Sequence, residues 1–126
     1  LLKVHRSYAS AIRSLMQAGL LKGAAHITGG GITDNLPRVL PGGLGAAIDT
    51  NAWEVPPVFT LLKELGKIPD ADYRRTFNLG IGMILVVSTR RLKEAEKILK
   101  RIREPFYQLG SVVGLPERAR KRVIYS

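Results

Sequence analysis

The sequence predicts an α+β domain in which helices cover a mixed β-sheet. First, segments with apolar residues at helical spacing alternate along the chain with short apolar runs of strand length. Second, clusters rich in Gly, Pro, Asn and Asp separate these segments, as turns do. Third, the last two apolar runs follow one another without a helix between them, so a hairpin is expected near the end of the chain.

Five apolar runs of strand length are bounded by turn residues. Met83–Val87 has the uninterrupted apolar composition of a buried strand, and Gly110 is expected to introduce a bulge or bend into the fourth run. The predicted strands are Gly23–Thr28, Leu44–Ile48, Met83–Val87, Phe106–Val113 and Arg122–Tyr125.

Five further segments carry helical spacing and signals for helix ends. They begin near Val4, Ile32, Pro56, Pro69 and Arg90. Gly19 is expected to end the first helix, Pro105 to stop the last, and Ser88 or Thr89 to cap the last at its start. The face of the third helix that is expected to be buried consists of Val58, Leu61, Leu62 and Leu65. Trp53 is expected to pack on that face, with stacking on a ligand as the alternative.

The chain is organised around a Gly-rich stretch, Ala25–Arg38, between the first strand and a short helix. Gly29, Gly30 and Gly31 have no Cβ, so backbone N–H groups there can face a ligand closely, and the start of a helix adds positive potential. Such a turn suits a phosphate or a carboxylate. A tight turn without a ligand is the alternative, because the stretch fits neither a Walker A loop nor the G-x-G-x-x-G pattern.

Polar side chains flank these glycines. His26 could transfer a proton or donate to a phosphoryl oxygen, although a histidine satisfied at the end of the strand is an equal alternative. Thr28, Asn35 and Arg38 are candidates for hydrogen bonding to a ligand or positioning it. Asp34 could take part as well, or could merely cap the short helix.

A second glycine-bearing turn precedes the strand Met83–Val87. It carries Asn78, Gly80 and Gly82, which we predict to bind a phosphate of the substrate or of a nucleotide together with the first turn. A turn that only leads into a strand is the alternative, since such a turn needs no ligand.

Composition limits the classes of function. The 126 residues are 45% hydrophobic and 24% charged, as in one globular domain with a core of its own. The chain has no Cys and only two His, so no disulfide and no metal site are predicted. The longest apolar run, Ile81–Val87, is too short to span a bilayer. Because Lys3, His5 and Arg6 interrupt the opening residues, no secretory signal is expected, and the predicted location is the cytoplasm.

The formal net charge of +10 raises nucleic acid as a partner. Most basic residues are scattered, however, apart from Lys97–Arg103 and Arg118–Arg122. The one Trp, four Tyr and three Phe do not alternate with them as a base-stacking surface requires. Attraction of phosphorylated small molecules, or simply solubility, explains the excess of positive charge as well, so nucleic acid is not the expected partner.

His26–Ile32 and the following Asp34–Pro41 resemble the signature of the phosphoribosylformylglycinamidine cyclo-ligase family, also called the aminoimidazole ribonucleotide synthetases. The resemblance is strong over Leu21–Val87 and weaker on either side. Further matching segments follow in the family's order, namely Gly43–Gly45, Ile48–Asp49, Trp53, Val55–Phe59 and Arg75–Met83.

The resemblance implies a three-layer α/β/α fold that is partly ferredoxin-like. It also implies that residues 1–126 form a single C-terminal, substrate-side domain. The family's N-terminal domain, which binds most of the ATP and Mg²⁺, is absent from this chain, and the opening residue is Leu1 rather than Met. We therefore expect a piece of a longer protein that is inert by itself and monomeric, whereas the family's enzymes form homodimers.

The implied reaction is the ATP-dependent closure of formylglycinamidine ribonucleotide to aminoimidazole ribonucleotide in purine biosynthesis. The resemblance assigns Gly29, Gly30 and Gly31 to a phosphate of the substrate or nucleotide, and His26 to catalysis. Two alternatives remain. The chain could be half of a related ATP-dependent synthetase or kinase of the same superfamily, or a stand-alone module that binds phosphate or nucleic acid.

Overall fold

The computed structural model describes residues 7–126. The predicted helix start at Val4, and His5, lie outside these residues. The chain divides into two compact units. The first unit comprises the described residues up to Ala24 together with Leu85–Phe106, and the second comprises Ala25–Ile84 with Tyr107–Ser126.

The described residues form helices and strands in nearly the predicted order, which confirms the α+β class. The helices are α1 (Ala9–Gln17), α2 (Gly31–Asn35), α3 (Pro57–Gly66), α4 (Asp70–Thr76) and α5 (Leu92–Arg101). The strands are β1 (Leu21–His26), β2 (Leu44–Ile48), β3 (Met83–Val87), β4 (Gly110–Gly114) and β5 (Val123–Tyr125). Short 3₁₀ helices occupy Leu36–Val39 and Thr89–Arg91. Within residues 7–126, no helix has the length and apolar character needed to cross a bilayer.

The core of the first unit lies between α1 and α5. Its buried members are Ala11, Leu15, Leu20, Ala95 and Leu99. Gly19 ends α1 as predicted, with φ of 68° and its amide bonded to the carbonyl of Met16. The predicted cap by Ser88 or Thr89 is wrong, because a 3₁₀ turn that contains Thr89 leads into α5, whose N-cap residue is Arg91, and the Ser88 side chain makes no capping hydrogen bond.

A mixed three-stranded sheet forms the frame of the second unit. β2 lies in the middle, antiparallel to β4 and parallel to β5. The predicted hairpin between the last two strands is therefore wrong, because β2 separates them. A side chain at Gly110 would place its Cβ 1.8 Å from the carbonyl oxygen of Ala47, so glycine permits this close pairing. A second sheet consists of β1 and β3.

The predicted buried face of α3 is also wrong. Its four members are exposed by 40% to 74%, namely Val58, Leu61, Leu62 and Leu65. The helix instead turns Phe59 and Lys63, one turn apart, toward α4: the Phe59 and Phe77 rings lie 5.6 Å apart, and the Lys63 ammonium lies 5.1 Å from the Tyr73 ring. Trp53 is buried, and its Nε1 donates to the carbonyl of Leu79 at 3.0 Å. Its packing on that face of α3 stays a prediction.

Candidate functional site

The glycine turn between β1 and α2 is held together by one buried amide side chain. Asn35 is only 5% exposed, and its Nδ2 donates to the carbonyl oxygens of Gly31 at 2.8 Å, Gly29 at 3.2 Å and Thr28 at 3.3 Å. Its Oδ1 accepts from the Thr28 hydroxyl at 3.4 Å and from Arg38 Nη1 at 3.5 Å. Asn35 thus joins four of the residues predicted for the site.

This bonding fixes the direction of the backbone amides. In a trans peptide the C=O and N–H point in opposite directions. Because the carbonyls of Thr28 and Gly29 point at Asn35, the N–H groups of Gly29 and Gly30 point away from it. Within residues 7–126 neither of these two amides donates a hydrogen bond, whereas the Gly31 amide is bonded to the carbonyl of Thr28 at 3.0 Å. Two of the three predicted amides therefore remain available.

The three glycines differ in what requires them. Gly31 has φ of 62°, and a Cβ there would lie 2.0 Å from the carbonyl oxygen of Arg74, so close packing of α2 on α4 excludes a side chain. Gly30 has φ of 100° and would crowd Asp34. A Cβ on Gly29 would meet no atom within 4 Å. Only at Gly29 does the fold leave room for a side chain.

The second glycine-bearing turn lies directly beside the first. The Ile27 amide donates to the carbonyl of Gly82 at 2.9 Å, which joins the residue before the first turn to the last glycine of the second. Asn78 uses its Oδ1 to accept from the Gly80 amide at 2.9 Å, an Asx-type turn. The structure thus brings both predicted turns together, with Asn78 and Gly80 bonded to each other.

The remaining predicted side chains surround this turn. His26 is the last residue of β1 and is exposed, as are Thr28 and Arg38. Asp34 Oδ1 lies 3.4 Å from Arg75 Nε, and the Asp34 side chain lies against Gly30. The exposed side chains of this segment therefore include an imidazole, a hydroxyl and a guanidinium, within ten residues of the Gly29 and Gly30 amides along the chain.

The described residues do not fit a divalent metal ion. Among residues 7–126, no group of three or more His, Cys, Asp or Glu side chains is close enough to hold one. The described residues therefore do not form an all-protein cage for the Mg²⁺ that the family resemblance implies.

Sequence patterns missed an arginine that supports the loop carrying Arg38. Arg122, just before β5, donates to the carbonyl oxygens of Pro37, Leu40, Pro41 and Leu44 at 2.8 to 3.2 Å. Its planar group matches this set of acceptors in a way that a lysine cannot. The only signal in the sequence was its place in a basic segment, which does not distinguish an arginine bonded to backbone carbonyls from one exposed to solvent.

A second missed contact ties β5 to α2. The Tyr125 hydroxyl and Thr33 Oγ1 lie 2.7 Å apart, and the Arg74 guanidinium stacks on the Tyr125 ring at 4.5 Å. Burial raises the pKa of Tyr125 above its ordinary value; the hydrogen bond from Thr33 and the charge of Arg74 offset part of that effect. The tyrosine is therefore held as the neutral phenol.

Comparison with known proteins assigns the family. A profile of the C-terminal domain of AIR synthase related proteins matches residues 3–121. The chain belongs to this family. Its relatives among curated proteins are named phosphoribosylformylglycinamidine cyclo-ligase, so the resemblance in the sequence is confirmed at the level of the family.

Three relatives illustrate the match of this AIR synthase related domain. The chloroplastic cyclo-ligase of Arabidopsis thaliana is 49% identical over 110 residues, which are 85% of this chain and 28% of that protein. The chloroplastic/mitochondrial enzyme of Vigna unguiculata is 53% identical over 109 residues, 85% of this chain and 27% of the relative. The cyclo-ligase of Methylobacillus flagellatus is 47% identical over 107 residues, which cover 85% of this chain and 31% of that protein. The chain thus spans less than a third of their length.

Proposed function

We propose that this AIR synthase related domain is the C-terminal half of an ATP-dependent cyclo-ligase. The enzyme would close formylglycinamidine ribonucleotide to aminoimidazole ribonucleotide in purine biosynthesis. Its relatives carry the name of that activity, while the chain corresponds to less than a third of their length. The domain alone is then inactive and monomeric, and it needs an N-terminal half that binds ATP and Mg²⁺ and forms the homodimer.

The proposal is carried by the orientation of the Gly29 and Gly30 amides. Asn35 Nδ2 donates to the carbonyl oxygens of Thr28 and Gly29 in the interior, so the N–H groups of Gly29 and Gly30 point outward, and Arg38 donates to Oδ1 of the same Asn35 side chain. Outward amides next to a guanidinium form a site for a phosphate or another oxyanion. Such a site suits the phosphate of a ribonucleotide or the phosphoryl group transferred from ATP.

The chain's own residues would bind and orient rather than supply the energy of ring closure. ATP supplies the phosphoryl group that makes the amide oxygen of the substrate a leaving group. The amides of Gly29 and Gly30 and the side chains of Thr28 and Arg38 would hold an oxyanion. His26, exposed at the end of β1, would donate a proton or hydrogen bond to an oxygen of the reacting group.

The second glycine turn would complete the same site from the other side. Asn78 holds the Gly80 amide through its Oδ1, and Gly82 is bonded to Ile27 next to the first turn. We assign Asn78, Gly80 and Gly82 to the wall of the phosphate site. Cytoplasm remains our prediction for the location, although two plant relatives carry organelle names.

A chimeric enzyme tests the function. The C-terminal part of the Methylobacillus flagellatus cyclo-ligase that this chain matches would be replaced by the chain itself. We expect the chimera to form aminoimidazole ribonucleotide from formylglycinamidine ribonucleotide and ATP, and the isolated chain to form none. The intact bacterial enzyme is the control for the assay.

Two results would contradict the proposal. A folded chimera that makes no product, beside an active parent enzyme, would exclude the cyclo-ligase assignment, and product from the isolated chain would exclude the role of a dependent half. A steep decrease of binding to generic DNA with salt, in a chain whose chimera is inactive, would favour the stand-alone nucleic-acid module instead.

A further inference from the structure

The second unit contains a pocket that is lined mainly by residues outside the glycine turns. Its volume is about 100 Å³, which suits one planar ring rather than a nucleotide. Aromatic side chains form much of its wall, namely Trp53, Tyr73, Phe77 and Tyr125. Trp53, Tyr73 and the lining residue Leu79 are each less than 9% exposed, so the wall is firmly packed. A wall of packed rings favours a flat, apolar body.

The polar groups at this pocket are mostly paired already. The Lys63 ammonium is bonded to Asp70 and lies over the Tyr73 ring, and this pairing lowers the pKa of Asp70. The Thr50 hydroxyl donates to the carbonyl of Ser126 at 2.7 Å. These contacts leave little capacity for a ligand on that side.

Arg74 differs from its neighbours. Its guanidinium is held over the Tyr125 ring at 4.5 Å, and the Tyr125 hydroxyl is in turn held by Thr33. Within residues 7–126, the Arg74 side chain makes neither a hydrogen bond nor an ion pair. A guanidinium has five N–H donors in a rigid fork, and a cation–π contact with the Tyr125 ring uses none of them. Arg74 is therefore held in place for an acceptor that the part of the chain described by the structure does not supply.

We propose that this pocket binds a small planar carboxylate, a single aromatic or heteroaromatic ring bearing one acidic group. The carboxylate pairs with the Arg74 fork through two parallel hydrogen bonds. The ring lies against Trp53, Tyr73 and Phe77, where offset or edge contacts stabilise it. The site is separate from the phosphate site of the proposed function and does not depend on it.

Intrinsic fluorescence provides a direct readout, because Trp53 is the single tryptophan of the chain and lines the pocket. The 126-residue chain would be titrated with benzoate, with the neutral isostere benzamide and with inorganic phosphate. We expect a saturable change with benzoate, and binding of benzamide weaker by about tenfold or more because it cannot form the charged fork. Phosphate, which has no ring, is expected to change the Trp53 signal far less than benzoate.

Substitutions at Arg74 separate the fork from simple positive charge. Arg74→Gln removes the charge, and Arg74→Lys keeps the charge without the planar fork. Each is expected to weaken benzoate binding by about fivefold or more. Arg101→Gln, which removes an exposed cation from α5, is the matched control and should bind as the native chain does.

The outcomes are decisive in each case. An absent or unsaturable response to benzoate overturns the proposal, and equal affinity for benzamide overturns the role of the carboxylate. Unchanged benzoate affinity in Arg74→Lys would exclude pairing of the carboxylate with the planar guanidinium through two hydrogen bonds. If circular dichroism indicates that Arg74→Gln is misfolded, the Arg74→Lys variant and the benzamide comparison on the native chain still decide.

Discussion

Asn35 is the residue whose replacement most directly tests the construction of the glycine turn. Asn35→Asp exchanges an NH₂ group for an oxygen of nearly the same size, so packing is kept while donation to three carbonyl oxygens is lost. The two N–H bonds lost cost about 1 kcal/mol each. A buried carboxylate facing carbonyl oxygens adds desolvation and repulsion, so we expect a total loss of about 3 kcal/mol near pH 7.

The same substitution predicts a distinct dependence on pH. Burial and the three facing carbonyls raise the pKa of the introduced carboxyl in the folded state above its unfolded value of about 3.9, and the donors Arg38 and Thr28 at Oδ1 offset part of that rise. The protonated carboxyl can donate one hydrogen bond. Its contribution to the stability of the folded state is fully present below about pH 4 and is lost as the pH rises through the folded pKa. The stability deficit relative to the native chain should therefore shrink to about 1–2 kcal/mol near pH 4.

Asn78→Asp is the matched control, because Asn78 acts as an acceptor. Its Oδ1 receives the Gly80 amide, and a carboxylate oxygen keeps that bond. The control should change stability by less than about 0.5 kcal/mol. Urea unfolding followed by circular dichroism measures both variants at the two pH values. If Asn35→Asp is as stable as Asn78→Asp near pH 7, the Asn35 amide does not hold the turn.

Three further predictions concern the packing around the site. Gly31→Ala should lower the free energy of unfolding in urea by about 2–4 kcal/mol, because the added Cβ would lie 2.0 Å from the Arg74 carbonyl oxygen and φ is positive. A loss below about 1 kcal/mol would contradict this prediction. Arg122→Lys should lower the free energy of unfolding by about 1–3 kcal/mol, since one ammonium cannot donate to the four carbonyl oxygens that the guanidinium contacts. Near-native stability would show that these hydrogen bonds are not needed. Burial raises the pKa of Tyr125. The contribution of the neutral phenol to the stability of the folded state is therefore fully present below about pH 10 and is lost as the pH rises through the folded pKa. The stability advantage of the native chain over Tyr125→Phe should therefore decrease above about pH 10, and a constant difference would exclude a raised pKa.

Local signals in the sequence were sufficient for the type and order of most elements and for the glycine turn, although residues 106–109 of the fourth predicted strand are not strand in the structure. The strand Leu44–Ile48 is found with the bounds that its apolar run and its flanking turn residues predict. Pro57 begins α3 and Gly66 ends it, again as local chemistry requires. Such features depend on residues within a few positions of each other. The sequence contains all the information they need.

Contacts between distant residues could not be found in this way. Arg122 reaches carbonyl groups 78 to 85 positions earlier, and Thr33 meets Tyr125 across 92 positions. The order β4–β2–β5 likewise depends on pairing that no local pattern specifies. On α3 the spacing correctly predicts an apolar stripe, but spacing alone does not say what covers it. Phe59 and Lys63, on another side of that helix, make the contacts with α4.

The family signature contains glycines that serve two different physical purposes. Gly31 and Gly80 are required by the fold, since each has positive φ and each lacks room for a Cβ, beside Arg74 and Pro56 respectively. Gly29 has neither constraint. A glycine that the fold does not need is free to serve the close approach of a ligand to the backbone. Within the first turn, we therefore predict that the contact with the ligand is made at Gly29 and the amide that follows it.

Gly29→Ala tests this separation of roles. The added methyl group meets no atom within 4 Å and φ is not positive, so urea unfolding should give unchanged or slightly higher stability, by up to about 1 kcal/mol. In the chimeric cyclo-ligase, the methyl group would stand where an oxyanion must approach the outward amides. The KM for the ribonucleotide should rise about tenfold, the loss of one charge-assisted hydrogen bond. Gly114→Ala, which also has open space at the Cβ position but lies on β4, should leave the KM unchanged. An unchanged KM in Gly29→Ala would mean that these amides do not contact the ribonucleotide, whatever the chimera's activity.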